Sequence, residues 1–200
     1  MNNHFLYKNC QVRQANNVIP VIKDFLTTVK PSQVLEIGTF TGGLTLILRD
    51  LLDEIGMVNV PLRSYDTHNF LNNQELIGHI QNGRIEFIQK NMWPDLVNLK
   101  DVDEASEFIQ RSGPTIVFCD GGNKPREFRT LSPLLKKGDH ILGHDYAPNK
   151  DYFEEHIKGK IWDWHELEDS HINEAVEKND LLPFMEEEFR KVVWVSKQRG

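Results

Sequence analysis

Cysteine is scarce in this 200-residue chain: there are two, Cys10 and Cys119, far apart. That excludes a small disulfide scaffold and leads us to expect a reducing, cytoplasmic setting. Long apolar runs are missing too. None approaches the roughly 18 residues that a membrane span needs, and MNNHFLYKNC carries no signal-peptide pattern. Basic residues are outnumbered, with 23 Lys and Arg against 30 Asp and Glu, so the formal charge of -7 disfavours polyanionic partners. Neither a nucleic-acid nor a membrane partner is expected. Repeats, low-complexity tracts and linkers are absent as well. A single domain over 1–200, long enough for a full core, is the expectation.

What is present is an alternation of periods. Val18, Val21, Ile22, Phe25, Leu26 and Val29 recur at helical spacing, with Asn17 as N-cap and Pro31 as the stop. Residues 1–30 therefore read as a helical N-terminal extension. Val34–Ile37 is a buried strand, and Leu44 to Ile55 forms the next helical face. Strands follow at Leu62–Tyr65, Ile85–Ile88, Thr115–Cys119 and His140–Gly143. Helices are expected over Asn69–Gln81, Val102–Gln110 and Arg126–Leu135. Strand and helix alternate five times, which argues for a doubly wound α/β fold with a parallel sheet and helices on both faces. After Asp145 the pattern changes. Short helices are expected at Asp151–Lys158 and Ile172–Lys178, and strands at Leu181–Met185 and Phe189–Ser196.

In such folds ligands sit beyond the C-terminal ends of the strands. The first strand is followed by Gly38-Thr39-Phe40-Thr41-Gly42-Gly43, the second by Asp66, the third by Asn91-Met92, the fourth by Asp120 and the fifth by His144-Asp145. The glycine spacing is not that of a dinucleotide fingerprint, because Phe40 stands where the second glycine belongs, and no Lys follows Gly43 as a P-loop requires. A phosphate ligand is disfavoured. A turn without any ligand is the bland alternative.

The segment Glu36-x-Gly38-x-x-x-Gly42 resembles motif I of the class I S-adenosylmethionine (SAM)-dependent methyltransferases. EIGTFTG is similar to the cation-dependent O-methyltransferases of catechols and caffeoyl thioesters. DGG followed by LSPLLKKGDHILGHDYAP resembles the group that includes macrocin O-methyltransferases and cephalosporin-hydroxylase-like proteins. The resemblance covers roughly Val34 to Ser196. It implies a Rossmann-like, mostly parallel seven-stranded sheet whose C-terminal strand is antiparallel. It implies SAM held by Glu36, Gly38, Thr39, Phe40, Gly42, Asp66, Asn91, Met92 and Asp120. Chemistry agrees at two places: glycines let the backbone approach the methionine portion, and the Asp66 carboxylate, 28 residues after Gly38, can accept from both ribose hydroxyls.

The resemblance further implies catalytic roles for Asp120, Lys124 and His144, and a Mg²⁺ or Mn²⁺ ion held by Asp120, His144 and Asp145. The metal would lower the pKa of an acceptor hydroxyl. The sequence departs from the families here. His144 stands where Asp or Glu is usual, and imidazole suits Mn²⁺ better than Mg²⁺. Asn123 occupies the place of the Lys or His base, with Lys124 one position later. Residues 146–180 form a variable insert expected to face substrate. Its Trp162, Trp164 and His165 either wall an acceptor or plug the sheet. The expected function is O-methylation of a small-molecule hydroxyl, in a possible homodimer. The alternative is a SAM-binding lyase, hydrolase or regulator without methyl transfer, favoured by the missing base at position 123.

Overall fold

A computed structural model describes residues 4–91 and 103–200. The chain opens with a hairpin, β1 (Phe5–Tyr7) and β2 (Cys10–Val12), and a helix, α1 (Val18–Val29). Then come β3 (Gln33–Ile37), α2 (Gly43–Glu54), β4 (Leu62–Asp66), α3 (Gln74–Gln81), β5 (Ile85–Gln89) and α4 (Asp103–Ile109). The core pattern continues with β6 (Thr115–Cys119), α5 (Lys124–Leu131) and β7 (His140–Gly143). The late region holds α6 (Lys150–Tyr152), which runs into a π-helical turn, α7 (Asp169–Lys178), β8 (Leu181–Pro183), α8 (Glu186–Arg190) and β9 (Val195–Arg199).

The main sheet has seven strands in the order β5-β4-β3-β6-β7-β9-β8. All pairs from β5 to β7 are parallel, and β9 runs antiparallel to both β7 and β8. The strand order reverses between β3 and β6, and this switch point opens a crevice at their C-terminal ends. Alternate residues of each strand face opposite layers. Val34, Ile116, Phe118 and Leu142 pack under α1 and α2, while Leu35, Val117, Cys119 and Ile141 pack under α4, α5 and α7. Among the described residues no helix is long and apolar enough to cross a membrane.

Several expected boundaries move. The first 30 residues are not wholly helical, because the hairpin precedes α1. Its turn puts Lys8 and Asn9 at positive φ, without the Asn-Gly signal that marks such turns. The helix expected from Asn69 begins at Gln74, because the Asn73 side chain accepts from Leu76 N at 3.1 Å and caps it there. The helix expected from Arg126 begins at Lys124, capped by Asn123, and its last turn tightens at Pro133. The largest shift is at the C-terminus. The strand expected at Phe189–Ser196 is a helix end and turn that becomes β9 only at Val195. Three glutamates open α8, which suits its N-terminal dipole. Trp194 N then donates back to Phe189 O at 3.0 Å. Phe189, Val192 and Trp194 are buried from this turn, so their apolar run mimics a strand.

Phe25 of α1 gathers this end of the core, with ring centroids 5.1 Å from Phe189, 5.3 Å from His140 and 5.9 Å from Phe184. Phe25→Ala is expected to cost about 3–5 kcal/mol of stability. A urea titration checks this, and a loss near zero would mean that the cluster is not holding α1 to the sheet.

Candidate functional site

The glycine turn after β3 is locked from three sides. Gly38 N and Thr39 N both donate to Tyr65 O, and Phe40 N donates to Asp66 Oδ2 at 2.7 Å. A Cβ at Gly38 would lie 2.3 Å from the Asp120 carbonyl oxygen, so only glycine allows β3 and β6 to converge here. The hairpin docks on the same turn: Cys10 Sγ donates to Thr41 O and Thr41 Oγ1 donates to Gln11 O. Below the turn, Glu36 is fully buried. Its Oε2 accepts from Thr45 Oγ1 at 2.6 Å and Ser64 Oγ at 2.5 Å, and Ser64 also bonds Thr39. Burial pushes the Glu36 carboxyl up to about 8, against the pull of the Ser64 and Thr45 hydrogen bonds.

Two adjoining clefts open above this turn. The larger, about 420 Å³, is lined on the sheet side by Gly38, Thr39, Phe40 and Asp66 and by Asp120, Lys124, His144 and Asp145. The smaller, about 250 Å³, shares Gly38, Asp66 and Gly122 and adds Asn91 and Glu127. The clefts thus bring together most residues singled out from the sequence. Glu36 and Gly42 line neither: Glu36 ties β3, α2 and β4 together from beneath, and Gly42 caps α2. Met92 lies outside the described residues.

Asp120 and His144 form a tight pair. His144 Nδ1 lies 2.8 Å from Asp120 Oδ1, which puts the ring proton on Nδ1. Gln14 Nε2 donates to Asp120 Oδ2 at 2.6 Å, and Trp194 Nε1 donates to Gln14 Oε1 at 2.9 Å. The His144 ring stacks on Trp194, with centroids 4.7 Å apart. Its Nε2 is buried and has no partner among the described residues.

Lys124 does not fit the role of base expected of it. Its ammonium donates to Gly121 O at 2.9 Å and Glu166 Oε2 at 2.7 Å, and lies 2.9 Å from Asp145 Oδ2. Burial alone would lower its pKa, but Asp120, Asp145 and Glu166 carry it above the usual lysine value. The other oxygen of Asp145 accepts from Trp162 Nε1. Burial would raise the Asp145 carboxyl, yet His144, Lys124 and Trp162 hold it below the ordinary range. The expected metal set fits no better. The Lys124 ammonium already sits on Asp145, and His144 Nδ1 is turned to Asp120. Among the described residues, the one group with metal-type atoms in mutual reach is Asp50, Glu75 and His79, which lines neither cleft. Lys8 already bridges its two carboxylates.

Some site residues were missed from sequence. Gln11 of the hairpin, and Arg13 and Gln14 just after it, reach the larger cleft, which was not foreseen. Glu127 accepts from Gly121 N at 3.0 Å and Asn123 N at 3.1 Å, shaping the loop after β6. Burial pushes its carboxyl up to about 7, against those backbone bonds. The spacing of Asn123 and Glu127, a cap and an acid one turn on, was the signal available. The insert divides: Trp162 is buried, Trp164 lines the larger cleft half-exposed, and His165 stacks on Phe153 instead.

No protein-family model matches the chain, and no curated protein matches it by sequence. Solved structures do. CmcI with Mg-SAM superposes with a TM-score of 0.66 at 15% identity, over 96% of this chain and 76% of that one. CmcI in an apo form gives 0.64 at 15% identity, over 98% and 76%. An O-methyltransferase family protein from Burkholderia thailandensis gives 0.56 at 14% identity, over 92% of this chain and 55% of its own. The chain therefore has the fold of the class I SAM-dependent methyltransferases, including the antiparallel strand near the sheet edge.

The Glu36 carboxyl yields a pH prediction. The native state keeps its proton up to about pH 8, whereas the unfolded chain releases it near 4.5, so this group makes stability fall as pH rises between those values. Glu36→Gln is expected to flatten that slope, measured by denaturant titrations across the window. An unchanged slope would show that Glu36 is ionised in the folded protein.

Proposed function

We propose that this protein is a SAM-dependent methyltransferase acting on a hydroxyl of a small molecule. The observation that carries the reading is the convergence of the Gly38 turn, Asp66 and the Asp120–His144 pair on one crevice at the switch point. SAM would supply an electrophilic methyl group for in-line transfer to oxygen. The residues present fit it. Gly38 lets the ligand lie against the backbone, and Asp66 keeps acceptor capacity for ribose hydroxyls beyond the bonds from Phe40 and His68. The smaller cleft, about 250 Å³ and lined by Asn91 and Gly122 among others, adjoins Asp66 and is where the adenine would lie. Asp120 offers its negative charge toward the ammonium end.

His144 is the base in this reading. Asp120 holds the imidazole with its proton on Nδ1, so Nε2 is left to take the acceptor's proton. Gln14 and Trp194 fix Asp120 in turn. Around the mouth, Phe40 and Phe70 lie with centroids 5.9 Å apart and Trp164 stands half-exposed, which supports a flat, aromatic acceptor. The acidic net charge of -7 also supports a small molecule over a nucleic acid. Metal assistance gains no support from the donor set, and no step here uses it.

Calorimetric titration with SAM and transfer of a labelled methyl group to phenolic acceptors test the proposal. Asp66→Ala is expected to weaken SAM binding by about 10–100-fold. His144→Ala should lower turnover by about 10²–10⁴-fold and leave SAM affinity within a few fold. Unaltered SAM affinity in Asp66→Ala would sink the cofactor assignment. Binding without transfer to any acceptor would favour the non-transferring alternative.

A further inference from the structure

We propose that the Lys124 ammonium is a built-in substitute for the divalent cation that this kind of site resembles, so the protein works without a metal. The inference deepens the methyltransferase reading and rests on it for the identity of the site. Its geometry stands independently. Lys124 Nζ has three N–H donors. It meets three oxygens: a backbone carbonyl from Gly121, a carboxylate from Asp145 and a carboxylate from Glu166, all at 2.7–2.9 Å. Oxygens of these two types are what a hard divalent cation selects. Here the charge that satisfies them arrives on a side chain.

Each component of the cage is positioned by a different element. Lys124 opens α5, where Asn123 caps the helix and Glu127 pins the Gly121 and Asn123 amides. Asp145 follows β7 at φ 56°, and Trp162 Nε1 holds its second oxygen. Glu166 is brought alongside because Glu166 N and Leu167 N both donate to Asp145 O. Lys124 and Asp145 are both buried, and Glu166 is partly exposed. An ammonium already seated on Asp145 repels a second cation from the same oxygens, and the buried Asp145 carboxylate without one would be costly. Lys124 has no donor left for substrate. It acts as a positioning residue: it neutralises Asp145 and Glu166 and fixes the loop that carries Asp120 and Gly121.

The test is Mn²⁺ binding followed by electron paramagnetic resonance, with SAM affinity measured with and without EDTA. The wild-type protein should leave Mn²⁺ free, and EDTA should not change its SAM affinity. Lys124→Ala, which empties the oxygen cage, should bind Mn²⁺ at least about tenfold more tightly than wild type. Lys124→Arg, which keeps a cation there, should behave as wild type. Mn²⁺ bound by the wild type and lost in Asp145→Asn would overturn the proposal, as would a folded Lys124→Ala that gains no Mn²⁺ affinity. If Lys124→Ala does not fold, the wild-type titration decides alone. Absence of SAM binding would remove the methyltransferase reading, while the Mn²⁺ result would still decide the role of Lys124.

Discussion

At Gly38 the backbone leaving β3 passes so near the end of β6 that a Cβ would sit 2.3 Å from the Asp120 carbonyl oxygen and 2.6 Å from Gly121 N. That approach sets the position of nearly everything around the crevice. It brings Asp120 beside the turn, where Asp120 N donates to Ile37 O at 2.9 Å. It holds the turn low enough for Phe40 N to meet Asp66 Oδ2 from the neighbouring strand. It also leaves a floor of bare backbone, on which a ligand can lie without meeting a side chain. The buried chain Thr39–Ser64–Glu36–Thr45 stiffens this floor from beneath.

Above the floor the carboxylates are organised in two separate ways. Asp120 is oriented by Gln14 Nε2 and His144 Nδ1. Asp145 is neutralised by Lys124 within the protein. Adjacent strand ends therefore do different work. The β6 end presents the Asp120 carboxylate, while the β7 end sets His144 against it and, through Asp145, anchors the insert by Trp162 and the backbone bonds to Glu166 and Leu167. The segment after the hairpin joins the N- and C-terminal regions at this place, because Gln14 links Trp194 to Asp120.

The alternation of strand and helix was legible because most buried strands are short apolar runs and α1 and α2 show clear apolar faces. Thr115–Cys119 is the plainest case, and the structure buries all of it. The site positions were legible for a related reason: polar residues directly after such runs must lie at strand ends. What those residues bond to was not legible. Lys124 reads as a free base until Asp145 and Glu166, 21 and 42 positions away, are seen on its ammonium. Gln14 carries no local signal, since its partners lie at Asp120 and Trp194. The C-terminal run failed for a different reason. Burial of Phe189, Val192 and Trp194 from a helix end and turn gives the same apolar string as a strand.

A structure determined with S-adenosylhomocysteine bound tests the central claim most directly. The account predicts the adenine in the smaller cleft between Asn91 and Gly122, the ribose on Asp66 and the amino-acid end over Gly38 beside Asp120. A ligand that binds elsewhere, or density for none at saturating concentration, would contradict it.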